Sequence, residues 1–357
     1  MPMKNKIFQD KTVLITGGTG SLGKTLLKRL LSKENDVPKK IILFSRDEAK
    51  QHSLRQEYLS LKNPTDEVIY NNFNNTVSFI IGDVRNYNDV VSALRGVDIV
   101  LNTAALKQVP SCEYFPYQAI DTNLNGPNNI VNAINNFKIP VETVVGISTD
   151  KACQPINVMG MTKALQEKIF LNANLNNLKT RYICVRYGNV LASRGSVIPL
   201  FLTQIESGSP VTITDQRMTR FLLSLNNAVD LIFNAILKGN AGETFIPIVP
   251  SAKMTDLAKV LIHDRDIEIL TTGIRPGEKI HESLISAEEM LRAWKIDDFT
   301  YVINSVLPEL VSVQPESLPI IEYSSKDDNI SAEELYKLLE SKKLLSIKAF
   351  SNSEILA

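Results

Sequence analysis

The ionisable residues best placed for chemistry are Thr149, Asp150 and Lys151 in direct succession, with Lys163 further along the same stretch. A hydroxyl, a carboxylate and an amine at the end of an apolar run form an acid–base set. Asp150 and Lys151 diverge along the backbone yet can flank one bound molecule. Each tunes the other's ionisation, and burial tunes both. Lys163 opens a helical stretch, where its amine can hydrogen-bond a ribose of a nucleotide cofactor. A second group lies near the start, in the run from Thr16 to Gly23. Its glycines at 17, 20 and 23 follow a β-rich run and precede a pattern of leucines at helical spacing. Glycines in that position let backbone N–H groups and a helix N-terminus approach the pyrophosphate of a dinucleotide.

Those groups need a scaffold that brings strand ends together. Strand-like runs at 13–16, 40–45, 77–81, 98–101, 143–148 and 181–186 alternate with helical patterns. This rhythm predicts an α/β fold, a Rossmann-type doubly wound parallel sheet with a smaller C-terminal substrate-binding lobe. The expected division is a cofactor-binding part over 8–188, a mainly substrate-binding lobe over 189–310 that can return to the first part, and an extension over 311–357. The extension carries one predicted helix at 331–341, with Ser331 and Glu334 as a capping box.

Bulk properties narrow the function. The 357 residues are 44% hydrophobic and carry 39 basic and 39 acidic side chains, so nothing points to nucleic acid as a partner. No run is apolar and long enough to span a membrane, and the polar start does not read as a signal peptide. Three histidines (52, 263 and 281) and three cysteines (112, 153 and 184) show no metal spacing. No metal is expected. A histidine-based hydrolase is disfavoured, and an odd number of thiols suits a reducing, cytoplasmic setting.

The candidate cofactor residues follow strand by strand. Thr16, Gly17, Thr19, Gly20, Ser21, Leu22 and Gly23 form the pyrophosphate turn. At the tip of the second strand stand Ser45 and Arg46, with Lys50 one turn on. A small hydroxyl and fixed cations suit a 2′-phosphate, so NADP is expected over NAD; Asp47 turning inward would reverse that preference. Asp83 and Val84 follow the third strand, where the carboxylate can meet an adenine edge. Ala104 and Ala105 follow the fourth and leave room for the cofactor. Lys107, on the next loop, serves cofactor or substrate.

The segment around Lys151 resembles the extended short-chain dehydrogenase/reductases, and within them the nucleotide-sugar 4,6-dehydratases acting on UDP-N-acetylglucosamine. The resemblance covers roughly residues 10–290. It rests on the glycine run, on Ser45–Glu48, Ala104–Pro110, Asn123–Gly126 and Thr149–Lys163, then on Arg186–Val190, Ser193–Pro199 and Arg275–Glu282. The family's Tyr-x-x-x-Lys reads here as Met159 and Lys163. Methionine has no proton to transfer. A subgroup that also inverts C5 is similar in carrying Met-x-x-x-Lys. Tyr182 and Tyr187 are substitutes only if the fold brings them close, which their positions do not suggest.

The resemblance implies C4 oxidation, water loss across C5–C6 and hydride return to C6, giving a UDP-4-keto-6-deoxy sugar. Lys151 would be the base at H5, which requires a neutral amine, and Asp150 the acid at the 6-hydroxyl. Thr149 would bind the 4-hydroxyl, whose deprotonation falls to Lys151 or to a water. Asn189, Arg194, Ser196 and Glu278 resemble substrate contacts. Arg220 and Arg275 offer planar forks for a diphosphate. The resemblance also implies a homo-oligomer. Two rivals are a nucleotide-sugar epimerase, which the Asp150–Lys151 pair disfavours, and a non-catalytic NADP-binding regulatory protein.

Overall fold

The computed structural model describes residues 6–32, 36–60, 72–176, 179–191, 196–311, 318, 321–327 and 329–346. Fifteen strands are present among them: β1 (Thr12–Thr16), β2 (Lys40–Ser45), β3 (Val77–Ile81), β4 (Ile99–Asn102), β5 (Thr143–Thr149), β6 (Arg181–Tyr187), β7 (Val211–Ile213), β8 (Thr219–Phe221), β9 (Thr244–Pro247), β10 (Ser251–Lys253), β11 (Ile269–Thr271), β12 (Ser283–Ile285), β13 (Ala293–Asp297), β14 (Thr300–Ile303) and β15 (Tyr323–Ser324).

Nine of them form one sheet in the order β13-β14-β9-β6-β5-β4-β1-β2-β3. From β3 to β9 the neighbours run parallel; β14 and β13 close one edge antiparallel. The parallel strands are apolar almost throughout because helices cover both faces: Ile41 to Phe44 are all buried. One apolar cluster lies on each face, the first around Val13, Leu26, Leu43 and Ile232, the second around Leu14, Val100, Ile134 and Phe170. The order reverses between β1 and β4, and in open α/β sheets a ligand crevice opens at such a point.

The Rossmann-type sheet is therefore present, with an antiparallel edge. Strands β9, β13 and β14 are short, and they bring residues 244–303 back to the sheet after the chain has left it. A separate apolar cluster lies beside the sheet. It joins Leu202 and Phe201 of the helix Val197–Glu206 to Leu257 and Leu261 of the helix Met254–Ile262, and to Leu335 and Leu339 of the helix Ala332–Ser341. That last helix starts with both halves of the Ser331/Glu334 capping box.

Candidate active site

Gly17 sits at φ +67°, and a Cβ there would lie 2.9 Å from the backbone N and Cα of Ala104. A Cβ on Gly23 would lie 2.6 Å from the Gly18 carbonyl oxygen. Only glycine lets the turn fold this tightly on itself and against the segment after β4. The helix Ser21–Leu31 then begins at Gly20 with no side-chain cap, so its first N–H groups face the crevice. Uncapped donors at the positive end of a helix dipole fit a pyrophosphate. Thr16 stands behind this turn. Its hydroxyl donates to Asn102 and accepts from the Ala104 N–H, tying β1 to β4.

The crevice continues as a cleft of about 790 Å³. It gathers Gly17 and Thr19 to Gly23, then Ser45, Arg46, Lys50, Asp83, Val84, Ala104, Ala105 and Lys107 from the cofactor set. From the other set it gathers Thr149, Lys151, Met159, Lys163, Asn189, Ser196, Arg220, Arg275 and Glu278. Arg194 lies outside the described residues. Thr16 and Asp150 do not line the cleft; Asp150 is fully buried behind Thr149 and Lys151.

Charge at the cofactor mouth is balanced. The Lys50 ammonium is 2.7 Å from the Asp47 carboxylate, which also caps the helix Glu48–Leu59 by accepting from the Lys50 N–H. Hydrogen bonds from Lys50 hold the Asp47 carboxyl below its usual range. Arg46 is 3.9 Å from Asp83, whose carboxylate accepts three bonds from Arg85. Burial alone would push Asp83 up, and Arg85 more than reverses it. Ser45 is buried and accepts from the Gln51 amide. The cations read as a 2′-phosphate site thus come with two carboxylates beside them, which a phosphate would meet unfavourably.

The catalytic turn lies at the end of β5. The Thr149 hydroxyl donates to Asp150 Oδ1 at 2.8 Å. Lys151 Nζ donates to the same oxygen at 3.0 Å and to Asn189 Oδ1 at 3.2 Å, and sits 3.3 Å from Glu282 Oε1. Burial pulls the Lys151 pKa down, but Asp150 and Glu282 together outweigh it and raise it above the ordinary lysine value. The cluster therefore favours the Lys151 ammonium over the free amine, and Asp150 is fully buried behind it.

Lys163 differs. Its Nζ donates to the Ile147 carbonyl and to Gln166 Oε1 at 2.6 Å, both uncharged, and burial pulls its pKa down to about 8. Met159 packs with Cys112 and Ala119 as part of an apolar wall. Tyr187, against expectation, does line the cleft, because parallel pairing of β5 and β6 sets it opposite Thr149. Burial pushes its phenol well up, so it stays protonated. Tyr182 is fully buried against Phe170, away from the cleft.

The substrate side is held by backbone as much as by charge. The Arg220 fork donates to the carbonyls of Thr219, Lys279 and Ile280, which engage three of its five N–H groups and fix its plane at the cleft wall. Asn157 donates to the Gly277 carbonyl at 2.8 Å, docking the Arg275–Glu278 turn on the start of the helix Val158–Asn176. Glu282 was not among the sequence candidates as a site residue; a carboxylate following the Arg-Pro-Gly-Glu-Lys run was the available signal.

No group of potential metal ligands occurs among the described residues, and none of their helices is long and apolar enough to cross a membrane. Residues 13–304 match the family described as "Polysaccharide biosynthesis protein". A protein named UDP-glucose 4-epimerase from Rickettsia conorii is 47% identical over 299 residues, covering 82% of this chain and 83% of the relative. The X-ray structure of Pen from Bacillus thuringiensis superposes with a TM-score of 0.83 at 36% identity, covering 94% of this chain and 99% of that one. DesIV from Streptomyces venezuelae, a dTDP-glucose 4,6-dehydratase solved with NAD bound, shares the fold at 19% identity and a TM-score of 0.62, covering 75% and 86%.

Two expectations are corrected by these findings. The UDP-N-acetylglucosamine 4,6-dehydratase reading gives way, since relatives at 46–47% identity carry the epimerase name. The NADP reading gives way as well. A solved relative of the same fold holds NAD, and Asp47 and Asp83 offset Arg46 and Lys50 here. The glycine turn, the nine-stranded sheet and the family match converge on one assignment: this chain belongs to the polysaccharide biosynthesis protein family, among the NAD(P)-binding enzymes of the extended short-chain dehydrogenase/reductase type.

Proposed function

We propose that this chain is an NAD-dependent 4-epimerase of UDP-hexoses. The observation that carries the reading is the 47% identity, over four-fifths of the chain, to a protein named UDP-glucose 4-epimerase. Gly17 to Gly23, Asp83, Val84, Ala104 and Ala105 would hold the dinucleotide, and Lys163 its nicotinamide ribose. When bound, NAD supplies a reversible hydride acceptor for C4 of the sugar. Lys107, Asn189, Ser196, Arg275 and Glu278 would hold the UDP-sugar. Arg275 and Arg220 both line the cleft and are the cations proposed for the diphosphate, Arg220 with the donors its carbonyl contacts leave over.

The proton moves through Thr149. Its hydrogen points to Asp150, so its oxygen accepts from the sugar 4-hydroxyl. As that proton arrives, Thr149 passes its own to Asp150. The Lys151 ammonium, bonded to the same carboxylate, stabilises the negative charge that develops at O4. The same path returns the proton once the 4-keto sugar has turned its other face. Met159 contributes apolar surface only, and Tyr187 stays protonated, so neither competes as the base.

Incubation of the chain with NAD and UDP-glucose, followed by proton NMR, tests this. The expected result is interconversion of UDP-glucose and UDP-galactose with the 6-hydroxyl intact. Loss of water from the sugar, or no conversion of any UDP-hexose, would overturn it.

A further inference from the structure

We infer that Glu282 is a positioning residue for this reaction: it keeps Lys151 paired while Asp150 takes up and gives back the sugar's proton. The inference rests on the epimerase reading and adds to it a residue supplied by a distant part of the chain. Glu282 is 1% exposed, and its Oε1 lies 3.3 Å from Lys151 Nζ. Asp150 Oδ1 at 3.0 Å and Asn189 Oδ1 at 3.2 Å complete the contacts. Three acceptors match the three N–H groups of an ammonium.

The need for Glu282 follows from charge. Asp150 is fully buried and accepts from both Thr149 and Lys151. Were it the only anion beside Lys151, protonating it would leave a largely buried ammonium without a carboxylate partner, which is costly. Glu282 leaves Lys151 with a carboxylate partner at that moment. One oxygen of each carboxylate, Asp150 Oδ2 and Glu282 Oε2, is buried without a hydrogen-bond partner, so each acid has a position where a proton can reside.

Glu282 is also held from behind. Its N–H donates to Ser325 Oγ at 2.9 Å, and its carbonyl accepts from the Ser325 N–H at 2.8 Å. The charged groups facing it are Lys151, Asp150, Arg220 and Lys279. Lys279 donates to the Cys153 carbonyl and Arg220 to three carbonyls, so only Lys151 gives Glu282 an ion pair. Burial raises the Glu282 carboxyl above its ordinary range, with Lys151 opposing, which suits a group that shares protons with its neighbour.

The test uses the full chain with NAD and UDP-glucose, as Glu282→Gln and Glu282→Asp. In Glu282→Gln, kcat should fall roughly 10²-fold, the scale of a misplaced acid–base group. KM and NAD affinity should hold. Both limbs of the kcat–pH profile should move to lower pH: Asp150 loses a like-charged neighbour, and Lys151 loses an opposite one. Glu282→Asp should keep the unmodified positions of both limbs. Unmoved limbs in Glu282→Gln, or equal losses in both variants, would overturn the inference. An infrared titration without substrate separates this from the epimerase reading. A buried carboxyl titrating above the ordinary glutamate range, and lost in Glu282→Gln, supports the cluster even if UDP-glucose is not converted. Its absence from the unmodified protein would overturn the role of Glu282 whatever the substrate.

Discussion

Gly160 shows two effects of opposite sign at one position. It lies in the first turn of the helix Val158–Asn176, and its N–H donates to Asn157 Oδ1 at 2.7 Å. Replacing a helical glycine by alanine ordinarily stabilises by about 1 kcal/mol. Here a Cβ would fall 2.2 Å from the Lys151 carbonyl oxygen, 3.0 Å from its carbonyl carbon and 3.2 Å from Pro155 Cβ. Backbone cannot swing aside as a side-chain tip does, so helix and turn must part by about 1 Å. Overpacking of this kind costs about 1–3 kcal/mol. The 2.2 Å approach to backbone puts the clash in the upper part of that range, so it outweighs the propensity and Gly160→Ala should destabilise the protein by up to about 2 kcal/mol.

The shifted carbonyl belongs to the 3₁₀ turn Asp150–Ala152, so Asp150 and Lys151 move with it. A displacement near 1 Å at reacting groups costs roughly 10²-fold in rate. Guanidinium denaturation and UDP-hexose turnover measure the two effects on one preparation. A Gly160→Ala variant as stable as the unmodified protein, with kcat within about twofold, would refute the reasoning: the helix would then approach the catalytic turn without being held against it.

Arg186 pairs with Glu167 at 2.7 Å and Glu289 at 2.8 Å, all well buried, so Arg186→Met should strand two carboxylates and cost about 3–5 kcal/mol in denaturant unfolding. Lys163 has a folded pKa of about 8 against an ordinary 10.5, so the unfolded chain holds more protons between those values. Its contribution should therefore make stability rise with pH across that window, by up to ~3 kcal/mol relative to Lys163→Met; identical pH profiles for the two proteins would contradict it. Asp47→Asn keeps the helix cap but removes the charge paired with Lys50. It should raise NADP affinity relative to NAD in a fluorescence titration, and an unchanged ratio would show that Asp47 does not screen that mouth.

Much of the scaffold was legible because its signals are local. The glycine run sits between a strand and a leucine-patterned helix, and alternating apolar runs mark β1 to β6. The antiparallel edge was not, because β9 lies some way upstream of the β13–β14 hairpin and only its pairing with β14 identifies the edge. Nothing local reveals that the Thr219, Lys279 and Ile280 carbonyls engage three of the Arg220 donors and fix its orientation. Arg46 and Lys50 were read as free cations although Asp47 stood beside them. The outcome turned on which way that carboxylate faced, and side-chain direction is not carried by residue type.

The protonation state of Lys151 is the sharpest case. Burial lowers the amine's pKa and its sequence neighbour Asp150 raises it, so the two pull in opposite directions. Those two residues do not by themselves say which pull wins. Glu282 adds a second carboxylate to the upward pull. The second carboxylate arrives just before β12, where the Ser325 backbone and hydroxyl fix its position. Two anions against one desolvated amine favour the charged form of Lys151, which suits the charge-stabilising role proposed for it. A motif specifies which groups are present. Which of them carries the proton depends also on contacts between distant parts of the chain, such as the ion pair of Lys151 with Glu282.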